Sequence, residues 1–329
     1  MKKARNKFIL FLVTIIFVNV LFFSKVMAQE LEIVKIYWFP SLIKTVLYIA
    51  EEEGFFREQG IKIEEVKLQN AAEALILLNQ GALDVSFSPL SSGMINLIGE
   101  SKNIRLTAGL ARINNNNVGI VMRVRDNFEA PLDTKALLQG LKGKKLGIPI
   151  LGDLSNYFVE KTLENNGVAI KDIQVVVMPL YSTGIALENG TLDAAHLTEP
   201  YITALKNKNK ILFIPFSEEF LDAPITFLVY GQNFLVKKPE LGVRFMKAYL
   251  KGCKQYSEGK TKRNIEIMKK NLQFDEETLK NANWPVVVPE LSKLDKLEGY
   301  QDWLLEKKYI NKKINFQSML EKKFLERAR

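Results

Sequence analysis

A chain of 329 residues, 47% of them hydrophobic, is long enough to fill two separate cores, and its single cysteine, Cys253, excludes an intramolecular disulfide. Of the formal net charge of +9, five basic residues and no acid fall within the first 28 positions, leaving 41 basic against 37 acidic side chains beyond them. That near balance, with no basic stripe interleaved with aromatics, argues against nucleic-acid binding, and a lone histidine excludes histidine-cluster metal centres.

Lys2, Lys3, Arg5 and Lys7 lead into a mostly apolar run from Phe8 to Phe23, followed by Val26-Met27-Ala28. This is the layout of a secretory signal peptide over residues 1–28, cut after Ala28, because the run is shorter than the ~20 residues that cross a bilayer core. No cysteine lies near the cut for lipid attachment, so the expected product is a free periplasmic protein. An uncleaved anchor, which would make the chain a membrane-tethered ligand-sensing domain, is the competing reading.

Strand and helix patterns then alternate. Glu32–Tyr37, Ile61–Val66, Val85–Ser88 and Arg105–Leu110 read as strands, with helices at Thr45–Glu53, Ala71–Gln80 and Ser91–Gly99. After the turn-forming run Asn114–Asn117, a second series follows. Its strands are Val118–Val124, Lys145–Ile148, Ile173–Met178, Asp193–His196 and Ile211–Pro215. Its helices are Thr134–Gln139, Ser155–Asn166, one ending at Glu188, and Pro200–Lys206. Pro224–Gly231 returns the chain to the first unit, and the rest is mostly helical, including Glu240–Tyr256. The expectation is an α/β protein of two doubly wound lobes joined by two crossover strands, near 118–124 and 225–231. Residues 29–120 with 228–329 would form a discontinuous first lobe and 121–227 the second. Paired crossings make a hinge over a cleft.

Several segments carry a family resemblance. They are Ile49-Ala50 with Gly54-Phe55-Phe56-Arg57 and Gly60, then Ala74-Leu75 with Gly81-Ala82-Leu83-Asp84-Val85. In the second series stand Leu141 to Pro149 (LKGKKLGIP), Gly167-Val168, Ala186-Leu187 with Gly190-Thr191-Leu192-Asp193-Ala194, and Glu199-Pro200; Phe234-Leu235, Pro239-Glu240 and Arg244 to Ala248 close the set. The chain resembles the nitrate/taurine/alkanesulfonate/thiamine-pyrimidine family of ABC-transporter substrate-binding proteins over nearly all of its length after residue 28. The doubled Ala-Leu, Gly, Asp element, once per lobe, is its most specific mark. The resemblance implies a type II periplasmic-binding-protein fold. It also implies a secreted receptor that captures a small organic or anionic nutrient (sulfonate, nitrate or pyrimidine-like) and delivers it to ABC permease and ATPase subunits in the inner membrane. In the pyrimidine branch a run of the form W-x-P-N-x-x-H is similar to this chain at Trp38 and Pro40, but Ser41 and Lys44 replace its Asn and His.

In open α/β sheets, ligands sit outside the carboxyl ends of strands. Five loops follow from that rule. The first contributes Trp38, Phe39 and Ser41, and the one after the third strand Ser88 and Ser91. The second lobe offers Gly152, Asp153 and Ser155, then Tyr181, then Glu199. Each has a plainer alternative: Trp38 as a core ring, the serines as helix caps, Glu199 as an acid favoured at a helix N-terminus. His196 reads as a core or strand-edge histidine more readily than as a ligand contact, and Cys253 as a packing residue.

No G-x-S-x-G, P-loop or G-x-G-x-x-G stands in the sequence. The chain is expected to be a monomeric binding protein, not an enzyme, with no metal and no cofactor. The enzymatic rival is a pyrimidine-precursor synthase on the same fold; the resemblance gives such enzymes a cysteine-rich motif and a histidine that this sequence lacks.

Overall fold

The computed structural model describes residues 30–38, 41–68, 71–114, 116–123, 133–208 and 211–329. The expected signal peptide and Phe39 lie outside the described residues. Strands β1 (Glu32–Tyr37), β2 (Ile61–Glu65), β3 (Val85–Pro89) and β4 (Arg105–Arg112) come first. They are followed by β5 (Val118–Arg123), β6 (Lys145–Ile148), β7 (Gln174–Val177), β8 (Ala194–Thr198) and β9 (Ile211–Pro215). The chain returns in β10 (Pro224–Tyr230) and β11 (Val286–Val287). These lie within two residues of the sequence patterns, apart from β11, which is too short to carry one.

Two sheets result, in the orders β11-β4-β10-β3-β1-β2 and β7-β6-β8-β5-β9. The chain is therefore the expected two-lobed α/β protein. β1 shows the alternation of a strand with one solvated face: Val34 and Ile36 are fully buried while Ile33 and Lys35 face out. β3, central in its sheet, is buried from Val85 through Ser88.

The doubled sequence element does the same mechanical job in each lobe. Ala74 and Leu75 anchor helix Ala71–Gln80, and Gly81 ends it with φ +74°; Ala186 and Leu187 anchor helix Leu180–Glu188, before Gly190 turns with φ +81°. The aspartate that follows then reaches the neighbouring parallel strand. Lys35 N–H donates to Asp84 Oδ2 at 2.7 Å, and Lys145 N–H donates to Asp193 Oδ2 at 3.0 Å. Each aspartate's own N–H returns the bond to the same lysine's carbonyl, at 3.0 Å in both lobes. The pair of bonds sets where each parallel strand begins.

Among the described residues, β5 pairs with β8 and β9 alone, and β10 with β3 and β4 alone. The strands expected at the crossings thus each belong to one sheet, and the chain passes between lobes after β4 and again after β9. These passages hold each other. Ile113 N–H donates to the Ala223 carbonyl and Asp222 N–H to the Ile113 carbonyl, both at 3.0 Å, while Arg112 pairs with Asp222 at 2.8 Å. The C-terminal part does not stay with the first lobe alone. In helix Glu298–Glu306, Tyr300 and Trp303 pack against Tyr157 of helix Leu154–Asn165 in tilted pairs, at 5.5 Å between ring centroids. Tyr300 Oη also donates to the Gly152 carbonyl at 2.7 Å.

Helix Pro239–Tyr256 covers helix Thr45–Glu52 so closely that a Cβ on Gly252 would stand 2.4 Å from the Val46 carbonyl oxygen. Gly252→Ala is therefore expected to lower stability by about 1–3 kcal/mol, read as a shifted urea midpoint at constant slope. An unshifted midpoint would mean that the helices part without cost.

Candidate functional site

The carboxyl ends of the parallel strands in both sheets face a cavity of about 680 Å³. Its floor on the first lobe includes Tyr37, Ser41 and Thr226; the second lobe contributes Pro149, Asp153, Ser155, Phe158, Met178, Tyr181, His196, Thr198 and Phe216. One edge is closed by backbone. Ser92 N–H donates to the Gly152 carbonyl at 2.9 Å, and Leu154 N–H to the Leu90 carbonyl at 3.1 Å, making a short antiparallel bridge between Ser91 and Asp153. Gly152 sits there at φ +74°, and a Cβ would come within 2.8 Å of Ser92 Oγ.

Asp153 is the charged group of this wall. It caps helix Leu154–Asn165, its Oδ1 accepting from Asn156 N–H at 2.8 Å. The residue is 1% exposed, and Oδ2 has no hydrogen-bond partner among the described residues. Burial pushes its pKa up to about 7, against the opposing pull of the Asn156 and Ser155 backbone N–H groups.

His196 is also buried, stacked on Phe216 with ring centroids 5.7 Å apart and planes within 6°. Burial holds its pKa down at about 4 despite a hydrogen bond to the Gly119 backbone, so the ring is neutral at physiological pH. Its Nδ1 and the Thr198 hydroxyl likewise lack partners among the described residues. Opposite them, helix Leu180–Glu188 begins after Pro179 with no side-chain cap, and Pro179, Leu180 and Tyr181 line the cavity.

Of the residues expected at the site, Ser41, Asp153, Ser155 and Tyr181 come together on this cavity. Phe39 lies outside the described residues, and the others lie elsewhere. Ser88 is buried against Ser86 at 2.7 Å, and Ser91 accepts from Met94 N–H as a helix cap. Gly152 forms the interlobe bridge. Trp38 is 5% exposed, edge-on to Tyr48, with Lys44 Nζ 4.3 Å above its ring. Lys44 bonds Glu65 at 3.3 Å, and its pKa is drawn down to about 8 by burial. Glu199 accepts from Thr203 N–H and hydroxyl at 3.1 and 2.9 Å and from Asn283 N–H at 3.2 Å, so its carboxylate is filled by the protein. Cys253 is buried, and its thiol is pushed up to about 12, which leaves it a packing group.

His196 and Thr198 were the residues that strand reading undervalued. Ala195 and Leu197 of the same strand belong to the apolar cluster under helix Leu180–Glu188, so the alternation that buries them aims His196 and Thr198 at the other face.

Residues 27–270 match the NMT1-like family. The chain belongs to that family. It is 26% identical over 297 residues to the putative aliphatic sulfonates-binding protein of Bacillus subtilis, covering 86% of this chain and 84% of that one. A 114-residue stretch is 26% identical to the formylaminopyrimidine-binding protein of Halalkalibacterium halodurans, 35% and 34% of the two chains. The fold is shared with the periplasmic nitrate-binding protein NrtA of Synechocystis PCC 6803, at TM-score 0.71 and 14% identity over 91% of this chain and 88% of that one. The resemblance read from the sequence and the periplasmic-binding-protein fold are both upheld.

Asp153 supplies a pH test. Its carboxyl is held above the ordinary value of 3.8, so the fold favours the neutral form. The contribution is complete below about pH 4 and is lost as pH rises through about 7, a change of about 4 kcal/mol at most. Asp153→Asn keeps a capping oxygen and removes the titration. Without added solute, the variant should match the parent near pH 4 and melt several degrees higher near pH 8. A parent whose melting temperature exceeds the variant's at pH 8 would contradict this assignment.

Proposed function

We propose that the chain is a monomeric solute receptor of the periplasm, made with a cleaved signal peptide over residues 1–28. It captures a small organic solute in the interlobe cavity and presents it to the permease and ATPase of an ABC importer. The observation that carries this reading is the cavity itself. It lies where strand ends of both lobes converge, spans a volume typical of small-molecule sites, and is bordered by two hydrogen-bonded passages that serve as a hinge. The family relatives support the role: one is named for aliphatic sulfonates and one for formylaminopyrimidine. Within the cavity, Ser41, Asp153, Ser155 and Tyr181 are the proposed ligand contacts, joined by His196 and Thr198.

A receptor of this kind gains stability from the solute that closes it. Mature protein secreted by its own cell should begin at Gln29 by mass. It should show a melting temperature raised by several degrees with one member of a panel of sulfonates, nitrate, pyrimidines and flavin precursors. Retention of residues 1–28 would turn the reading toward a tethered sensor, and a flat panel would count against capture.

A further inference from the structure

One C-terminal segment, residues 289–321, has both ends fastened to β4 of the first lobe. At its start, Val288 N–H donates to the Leu110 carbonyl at 3.1 Å, and the Pro289 carbonyl accepts from Gly109 N–H at 2.8 Å. At its finish, Glu321 N–H donates to the Leu106 carbonyl at 2.9 Å. Between those anchors the chain reaches across to the second lobe. Helix Glu298–Glu306 lies so close to helix Leu154–Asn165 that a Cβ on Gly299 would stand 2.7 Å from Tyr157 Oη. Tyr157 packs there against Tyr300 and Trp303, both buried. Lys307 pairs with the buried Glu160 carboxylate of the same second-lobe helix, and Lys296 Nζ donates to the Glu219 carbonyl at 3.1 Å. Tyr300 Oη sits at the seam itself. It donates to the Gly152 carbonyl of the second lobe at 2.7 Å and lies 3.3 Å from the Leu90 carbonyl of the first. Those two carbonyls are also the acceptors of the interlobe bridge, from Ser92 and Leu154 N–H.

The lobes are therefore tied twice, through different residues. One tie is the pair of chain passages, joined at Ile113, Asp222 and Ala223; the other is this segment with the bridge at Gly152. Lobes joined by two passages alone can swing about them, and a further connection stops that swing for as long as it holds. We propose that residues 289–321 form a strap that keeps the lobes together in the solute-free protein, with Tyr300 the positioning residue at its point of release. The role given to the strap rests on the receptor reading: solute enters or leaves the cavity when the strap lets go of the second lobe. Release breaks side-chain packing, one ion pair and hydrogen bonds at the seam, and no covalent bond. It leaves both anchors on β4 in place, so the strap stays with the first lobe and can close again. Residence of the solute is then set by release of the strap as well as by contacts in the cavity.

The test measures the distance between lobes in exhaustively dialysed mature protein with no solute added. Ile76→Cys and Ile185→Cys place one nitroxide on each lobe, at positions 54% and 66% exposed on helices Ala71–Gln80 and Leu180–Glu188. Cys253, buried and with its thiol pushed up to about 12, stays unlabelled. Pulsed electron resonance should give one short distance population for the parent, and Tyr300→Ala should add a longer one. Tyr300→Phe keeps the ring and removes only the hydroxyl. In that variant, hydrogen exchange at the Ser92 and Leu154 amides should speed by about fivefold. Gly252→Ala loosens packing inside the first lobe and should leave both readouts unmoved, which separates release of the strap from a general loss of stability. The proposal is overturned by a parent that already populates the longer distance. It is overturned equally by a folded Tyr300→Ala with the parent's distances, or by a Tyr300→Phe whose seam amides exchange no faster than the parent's. Neither readout involves a solute, so a flat solute panel would remove the receptor reading without altering these outcomes.

Discussion

A carboxylate buried at the seam between two lobes constrains the rest of this molecule. Asp153 is the last residue before a helix, the partner of Ser91 in a backbone bridge, and a wall of the interlobe cavity. Its first oxygen is consumed by capping, and the second is buried with no hydrogen-bond partner among the described residues. Burial alone makes the charged form expensive there, which is the pattern of a group whose cost is recovered when a ligand supplies the missing hydrogen bond.

The surrounding architecture serves to hold that seam. Gly152 allows the backbone of the second lobe to approach Ser92 closely enough for the bridge, and Tyr300 fastens the Gly152 carbonyl from outside. Tyr300 arrives on a helix that follows the return to the first lobe, so the C-terminal part ties the lobes together along one side. Where the chain passes between lobes, Ile113 hydrogen-bonds to Ala223 and Asp222, and Glu199 of the second lobe is bound by Asn283 from near β11.

Much of this was legible in the sequence. Hydrophobic alternation and glycine stops gave nearly every long element, because β1, β3 and helix Ala71–Gln80 are governed by local periodicity. The doubled Ala-Leu, Gly, Asp element pointed to two lobes, but the job of its aspartates did not follow from spacing. Asp84 and Asp193 fix parallel strand starts through bonds to Lys35 and Lys145, residues nearly 50 positions away. The carboxyl-end rule located the right loops and could not say which way each side chain points. Ser88 turned to Ser86, Ser91 to its own helix, and Glu199 to Thr203 and Asn283. Trp38 went into a pocket with Tyr48 and Lys44, and that lysine is the residue standing in place of a family histidine. His196 was read as a core residue and proved to be both buried and cavity-lining, on the face of its strand opposite Ala195 and Leu197.

The central claim is that the interlobe cavity holds a small solute. Mass spectrometry of the intact protein, isolated without denaturation from its native cell, tests it directly. The account predicts one small organic molecule bound to the intact protein and released when the protein is denatured. Intact protein that carries no small molecule from its native cell and takes up none from a solute panel would contradict it.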